Sequence, residues 1–287
     1  MFNTIKLNKA YWAKKIPALK YGVPNPLDVF SPDKEKFSEA MTTFGFSGVY
    51  KTTRTGRHKQ TQQFLKEYTG KLTQPVGILD IGASDGSTSL DLINLLQGQF
   101  KKYYVTDYNI QCRYVAHKGY TYFFDQSNEC FLAASEKFVF YPANKSLFNF
   151  LFKNRLAQIK ALPKSELLLI NKDLQEKQQA NNNIVILQHN VFVPWAKEKM
   201  DMVIVGNLLN RSYFTDTQIE AAVKNCYAAL TDNGLLTIIR NTLTDNGDEF
   251  ERSTSYQKTA GNTRLQKKHE VNGGIEIDEL LASLKFD

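Results

Sequence analysis

The sequence predicts an α/β protein built on a largely parallel sheet. Residues 76–81 form an apolar run that ends in a glycine-rich turn, and residues 90–96 then show helical spacing up to Gly98. Residues 184–239 repeat this order, with three apolar runs and a helical segment before the last of them. Strands that alternate with helices are typical of a parallel sheet with flanking helices on its faces.

The residues before the first predicted strand differ in pattern from the rest. Within residues 1–75, three stretches show helical spacing, and four prolines interrupt the chain between residues 17 and 32. A polar, basic stretch follows at residues 48–59. It could be an exposed connection, or a loop that covers the site and binds an anion. We therefore predict that residues 1–75 form a helical N-terminal extension or lid.

A second departure from the α/β pattern lies at residues 109–183, which are too many for a single crossover. Short strand patterns at 120–124 and 138–141 precede a helical pattern at 147–162, and residues 172–183 are polar and predicted as a turn or loop. We predict an inserted β-hairpin/helix arm within a domain that spans residues 76–287.

Composition excludes several classes of protein. The chain carries 36 Lys and Arg against 29 Asp and Glu, and this net charge of +7 permits anion binding without establishing it. No apolar run is long enough to span a bilayer, and the first residues lack the apolar stretch of a signal peptide. The three cysteines are far apart and show no CxxC spacing, which argues against a disulfide framework or a zinc site. We expect a cytoplasmic protein with neither a metal nor a membrane partner.

The turn after the first predicted strand, together with the acids at the ends of the first two strands, contains the candidate ligand-binding residues. Gly82 and Gly86 have no Cβ, so their backbone can approach a ligand closely. Asp80 stands near the carboxyl end of the strand, where parallel sheets bind their ligands. Asp107 ends the next predicted strand, about 20 residues after Gly86, where an acid commonly holds the two hydroxyls of a ribose.

Together these features resemble the class I S-adenosylmethionine-dependent methyltransferases, over residues 76–271 apart from the arm. The resemblance implies a Rossmann-like, seven-stranded, mostly parallel sheet whose final strand is antiparallel. It implies S-adenosylmethionine as cofactor, with Asp107 on the ribose and Tyr108 on the adenine; Ser84 stands where the family has its middle glycine. The implied cofactor-binding residues are Asp80, Gly82, Ala83, Ser84, Gly86, Asp107, Tyr108, Asn190, Val191 and Asn207.

The same resemblance implies transfer of a methyl group from a sulfonium to an oxygen or nitrogen acceptor, which could be a small molecule, a protein or RNA. An acceptor that loses a proton can require a base. His58 lies in the basic stretch, and Arg211 and Tyr213 follow the fourth strand, where the acceptor is expected. These three residues are the catalytic candidates.

Three other classes of protein compete with this interpretation. Residues 82–86 satisfy the G-x-S-x-G pattern of a serine hydrolase around Ser84, but that class gives no role to Asp80 or Asp107 and places several strands before its nucleophile. A nicotinamide dehydrogenase requires G-x-G-x-x-G spacing, which the turn lacks. A non-catalytic S-adenosylmethionine-binding or scaffold protein of the same fold stays open as the alternative.

Overall fold

The structure, a computed structural model, describes residues 5–16, 22–46, 49–51, 54–142, 145–243 and 249–286. The strands are, in chain order, β1 (Ile5–Leu7), β2 (Gly45–Phe46), β3 (Val49–Tyr50), β4 (Val76–Ile81), β5 (Phe100–Asp107), β6 (Gln111–His117), β7 (Tyr120–Phe124), β8 (Cys130–Ala134), β9 (Phe138–Phe140), β10 (Ser165–Leu168), β11 (Ile184–Gln188), β12 (Met200–Gly206), β13 (Leu230–Leu243), β14 (Glu249–Gln257) and β15 (Gln266–Val271). The helices are α1 (Lys9–Trp12), α2 (Lys34–Met41), α3 (Lys59–Thr69), α4 (Ser87–Leu96), α5 (Lys145–Lys160), α6 (Lys172–Ala180), α7 (Asp216–Ala229) and α8 (Asp278–Ser283).

The chain forms two compact units, and each is built from two separate stretches. The first unit contains Met1–Thr53 and Asn109–Lys172, and the second contains Arg54–Tyr108 and Asp173–Asp287. This division differs from the boundaries expected from the sequence. Residues 54–75 belong with the second unit instead of an N-terminal extension, and so do residues 173–183, which were expected in the arm.

The first unit is organised around a six-stranded antiparallel sheet with the strand order β1-β9-β8-β7-β6-β10. Phe123 and Leu132 on one face pack with Phe44, which follows α2, and Tyr122 on the other face packs with Phe152 of α5. The arm is therefore more than a hairpin and a helix. Strands β6, β8 and β10 were not predicted, and β1 supplies one edge from far away in sequence.

The second unit contains a seven-stranded mixed sheet with the order β11-β5-β4-β12-β13-β14-β15, in which the first five strands are parallel. The predicted α/β class with a mainly parallel sheet is confirmed. The expectation of an antiparallel final strand is wrong: β14 runs against the other strands, and β15, antiparallel to β14, again runs with them. Only five residues link β13 to β14, and so short a link suits an antiparallel neighbour.

Helices cover both faces of this sheet because side chains alternate along each strand. Along β4, Leu79 and Ile81 join a buried cluster with residues of α7 and α8, whereas Asp80 points to the opposite face and contacts Ser89 of α4. The stretch 172–183, expected as a loop, contains α6, whose single buried residue is Leu174. Its polar composition hid the helix. Within the described residues, every helix is too short or too polar to cross a bilayer.

Candidate functional site

The turn between β4 and α4 lies at the carboxyl edge of the parallel strands. Gly82, Ser84 and Gly86 all adopt left-handed backbone conformations, with φ of 74°, 61° and 79°. Ser84 therefore keeps a conformation that glycine adopts easily, at the position where the resemblance expects a glycine. Ala83 anchors the turn to the neighbouring strand, since its N–H donates to the carbonyl of Thr106 at 2.9 Å.

Two leucine side chains pack against the glycines of this turn. A Cβ added at Gly82 would lie 2.9 Å from Cδ2 of Leu208, and one at Gly86 would lie 2.2 Å from Cδ2 of Leu174. The missing side chains thus make room for leucines of the protein itself. The need for glycine here is explained by packing and by positive φ, and is not in itself evidence for a ligand.

Asp80 is buried beneath the turn. Its carboxylate accepts hydrogen bonds from the Ser89 hydroxyl at 2.7 Å and the Tyr103 hydroxyl at 3.2 Å. Burial raises the pKa of Asp80 to about 6, against the two hydrogen bonds, which favour the ionised form; the nearby Asp107 charge also raises it. The carboxylate is thus used inside the protein, between β5 and α4.

Asp107 lies at the end of β5 and is half-buried. Its Oδ2 accepts a hydrogen bond of 2.9 Å from the backbone N–H of Ser84, which joins this strand end to the glycine turn. The next residue, Tyr108, is 55% exposed, so its ring has a free face. The structure therefore brings together Asp107 and Ser84, two of the residues that the sequence singled out.

The residues after β11 serve mainly to close a turn. Asn190 Oδ1 accepts from the backbone N–H of Phe192 at 3.0 Å, and Val191 is buried in the core of the second unit. The carbonyl of Val191 accepts from the Asn225 amide at 2.9 Å. The pairing of β11 with β5 places Gln188, two residues before Asn190, opposite Asp107.

A buried polar cluster joins His58 to the ends of β12 and β13. His58 Nε2 lies 2.8 Å from Asn241 Oδ1 and 3.3 Å from Asn207 Nδ2, and Asn207 Oδ1 accepts from the backbone N–H of Asn241. The ring packs on Gly206, where an added Cβ would lie 3.3 Å from Cε1. Burial, assisted by the adjacent Arg57 charge, lowers the pKa of His58 to about 4, so the ring is neutral at pH 7.

The other two catalytic candidates are placed differently. The Arg211 guanidinium donates to both carboxylate oxygens of Asp216 at the start of α7 and to the carbonyl of Glu276. This pairing raises the pKa of Arg211 further above its usual range. Tyr213 donates its backbone N–H to the carbonyl of Asn210, and its ring contacts Phe214. Arg211 is thus engaged by acidic residues of the protein.

The sequence missed the residues that hold the basic stretch. Arg54 and Arg57 both form ion pairs with Glu249 of β14, and Glu251 on the same strand accepts from the N–H groups of Gln60 and Thr61, capping α3. The two arginines are therefore bound by a carboxylate of the chain. Glu249 and Glu251 stand two residues apart, a spacing that places both side chains on one face of a strand.

No protein-family model matches the chain, and no curated protein matches it. Many of the solved structures to which it is similar are class I S-adenosylmethionine-dependent methyltransferases. They include the CurJ carbon methyltransferase (15% identity, TM-score 0.39) and the trans-methyltransferase CalH in complex with SAH (14% identity, TM-score 0.37). Each match covers 77% of this chain, but only 43% and 44% of those two chains. An O-methyltransferase family protein from Burkholderia thailandensis (10% identity, TM-score 0.34) matches over 78% of this chain and 46% of its own. The chain thus spans less than half the length of these methyltransferase structures, to which it is similar.

Proposed function

We propose that the second unit binds S-adenosylmethionine and transfers its methyl group to an oxygen or nitrogen acceptor. The strand order supports this proposal. From β4 the chain builds β5 and β11 on one side and then returns to add β12 and β13 on the other. A Rossmann-like sheet binds its ligand at such a reversal, beyond the carboxyl ends of the strands. The glycine turn follows β4 there, and Asn207 follows β12.

The observation that carries the proposal is the half-buried carboxylate of Asp107, fixed by Ser84 at the end of the strand beside β4. A carboxylate in this place can accept hydrogen bonds from two ribose hydroxyls. The exposed ring of Tyr108 offers a face on which adenine can stack. The residues present therefore fit the adenosine end of the cofactor.

At the methionine end the fit depends on side chains that can move. Leu208 covers Gly82 and Leu174 covers Gly86, and in both cases the contact is made by the far end of a flexible side chain. The backbone N–H groups of Ala83, Ser84 and Gly86 already donate to Thr106, Asp107 and Ala83, so a cofactor carboxylate there would compete with these hydrogen bonds. This cover also favours the second candidate function, a non-catalytic protein of the same fold.

When bound, the cofactor supplies a methyl group made electrophilic by the sulfonium. The chain's contribution would then be to hold the acceptor in line with that methyl group and to exclude water. His58 is neutral at pH 7, but a pKa of about 4 makes it a weak base. Its contacts with Asn207 and Asn241 suit it better to fix the geometry of the β12 and β13 ends. The acceptor itself is a small molecule, a protein or RNA.

Titration calorimetry with S-adenosylmethionine and S-adenosylhomocysteine tests the proposal directly. Binding of both, followed by transfer of a labelled methyl group to a component of a metabolite, peptide or RNA pool, is the expected result. Binding without transfer to any pool would support the non-catalytic alternative. If neither ligand binds, the proposed function is wrong.

A further inference from the structure

Strands β13 and β14 extend past the end of β12. The last residue of β12, Gly206, pairs with Ile239, whereas β13 continues to Leu243 and β14 begins at Glu249. Residues 240–243 and 249–252 therefore form a two-stranded ribbon that continues beyond β12 at the carboxyl edge of the sheet. We call these residues the ribbon.

The two faces of the ribbon differ in their contacts. Asn241 and Glu251, a cross-strand pair, point toward His58 and the start of α3, as their hydrogen bonds show. Arg240, Thr242 and Arg252 alternate with them and so lie on the opposite face. That face continues the side of β13 and β14 that packs against α7 and α8.

On this second face, Arg240 stands directly opposite Arg252 in the antiparallel register. Nε of each guanidinium and the hydroxyl of Thr242 are buried, and none of these three atoms has a hydrogen-bond partner among the described residues. Arg252 also donates from a terminal nitrogen to the carbonyl of Gly273 at 3.0 Å. Three polar groups able to donate thus lie on the same face of the ribbon.

Such an arrangement is unfavourable unless something else completes it. Like charges placed directly opposite on neighbouring strands repel each other, and buried donors are normally satisfied. The nearby segment that accepts the Arg252 hydrogen bond carries Glu276 and Asp278, but Glu276 is engaged by Arg211, and Asp278 by Thr254, Tyr256 and Lys267. A bound oxyanion would both separate the two charges and accept from all three groups.

We propose that Arg240, Arg252 and Thr242 form a binding site for an oxyanion, the carboxylate or phosphate group of the methyl acceptor. The anion site itself rests on the geometry of the ribbon alone, whereas its assignment to the acceptor rests on the proposed function. The ribbon lies at the same edge of the sheet as Asn207 and the glycine turn, so an acceptor held there by its anionic group would remain at the edge where parallel sheets bind their ligands.

Calorimetric titration in low-salt buffer without S-adenosylmethionine tests the site. Inorganic phosphate and succinate serve as probes, and the tighter of the two identifies the anion class. We expect R240Q and R252Q each to weaken binding at least tenfold. R264Q, which removes the same charge from an exposed position outside the ribbon, should leave affinity within twofold. T242V, a nearly isosteric change that keeps all charges, should weaken binding severalfold and serves if an arginine variant fails to fold.

Three results would overturn the proposal. One is the absence of binding of either probe to the wild-type chain. Another is equal weakening by R264Q and R240Q, which would show that only net charge matters. The third concerns Asp245 and Asp248, which lie outside the described residues: if D245N/D248N binds an anion that the wild type does not, the arginines are neutralised by the chain itself. Because the cofactor is absent throughout, failure of the methyltransferase proposal would not affect these outcomes.

Discussion

The backbone N–H of Ser84 donates a 2.9 Å hydrogen bond to Oδ2 of Asp107, which joins the turn after β4 to the end of β5. Asp107→Ala removes the carboxylate proposed to hold the ribose, and should weaken S-adenosylhomocysteine binding by about 1–3 kcal/mol. Asp107→Asn is the matched control, since its amide oxygen can still accept from Ser84. It should retain more affinity than the alanine variant in calorimetric titration. Unchanged affinity in both variants would contradict the role of Asp107.

Asp80 should make the stability of the protein fall as pH rises. Its pKa is raised in the folded state, from about 3.9 to about 6, so the folded chain holds a proton that the unfolded chain has released. The favourable contribution is complete below pH 4 and is lost as pH rises through 6, a change of roughly 3 kcal/mol. The difference in unfolding free energy between Asp80→Asn and the wild type, from urea titrations, should therefore grow from pH 4 to pH 7. A difference that stays constant with pH would show that Asp80 does not titrate in this range.

His58 should act in the opposite direction. Its pKa is lowered in the folded state, from about 6.5 to about 4, so the unfolded chain binds the extra proton between these values. Its contribution to stability, roughly 3 kcal/mol, is complete above pH 6.5 and is lost as pH falls toward 4. His58→Gln should thus lose less stability on acidification than the wild type does. Because the effects of Asp80 and His58 oppose each other, the unfolding free energy of the wild type should depend only weakly on pH between 4 and 6.5. A His58→Gln pH profile parallel to that of the wild type would refute the lowered pKa of His58.

Glu249 balances two arginines, one of them nearly buried. The exposed fraction of the Arg57 side chain is 8%, and that of Glu249 is 20%. Glu249→Gln removes the carboxylate that pairs with the nearly buried Arg57 charge and should lower the free energy of unfolding by about 2–4 kcal/mol. The matched control is Asp216→Asn, which breaks the exposed pair with Arg211 and should cost less than about 1 kcal/mol. Equal costs in chemical denaturation would mean that burial of Arg57 is unimportant.

Comparing Gly86 with Gly98 distinguishes two reasons why a position requires glycine, namely a positive φ and a lack of space for a side chain. Both have positive φ, but a Cβ at Gly86 would meet Leu174, whereas one at Gly98 would meet nothing within 4 Å. Gly98→Ala should destabilise by about 1–2 kcal/mol, the cost of a left-handed alanine. Gly86→Ala should cost about 1–3 kcal/mol more, because the side chain also overpacks the interior. If the two variants have equal thermal midpoints, Leu174 moves aside at no cost.

The sequence predicts the structure correctly where the residues that define an element are consecutive in the chain. The apolar run of β4, the glycine turn and the face of α4 are consecutive, so their order and spacing predicted a strand, a turn and a helix. The acid at the end of β5 followed from the same spacing. In each case neighbours along the chain are also neighbours in space.

The sequence pattern does not predict a strand whose pairing partner is distant in the chain, or a helix that buries a single residue. Strand β10 carries mixed polar and apolar residues and exists because it pairs with β6, about 50 residues earlier. Helix α6 looked like a loop because Leu174 is its single buried residue. The Arg240–Arg252 pair depends on the register of β13 against β14, which composition and periodicity do not specify.

The interleaving of the two units has a consequence for how the chain folds as it is made. The ribosome releases residues 1–53 long before residues 109–172, without which the six-stranded sheet cannot be assembled. By then residues 54–108 have also emerged, and they in turn lack the strands that come after residue 173. Neither unit can therefore complete its folding before synthesis is well advanced. A cut between residues 108 and 109 would leave each half of the chain with an incomplete portion of both units.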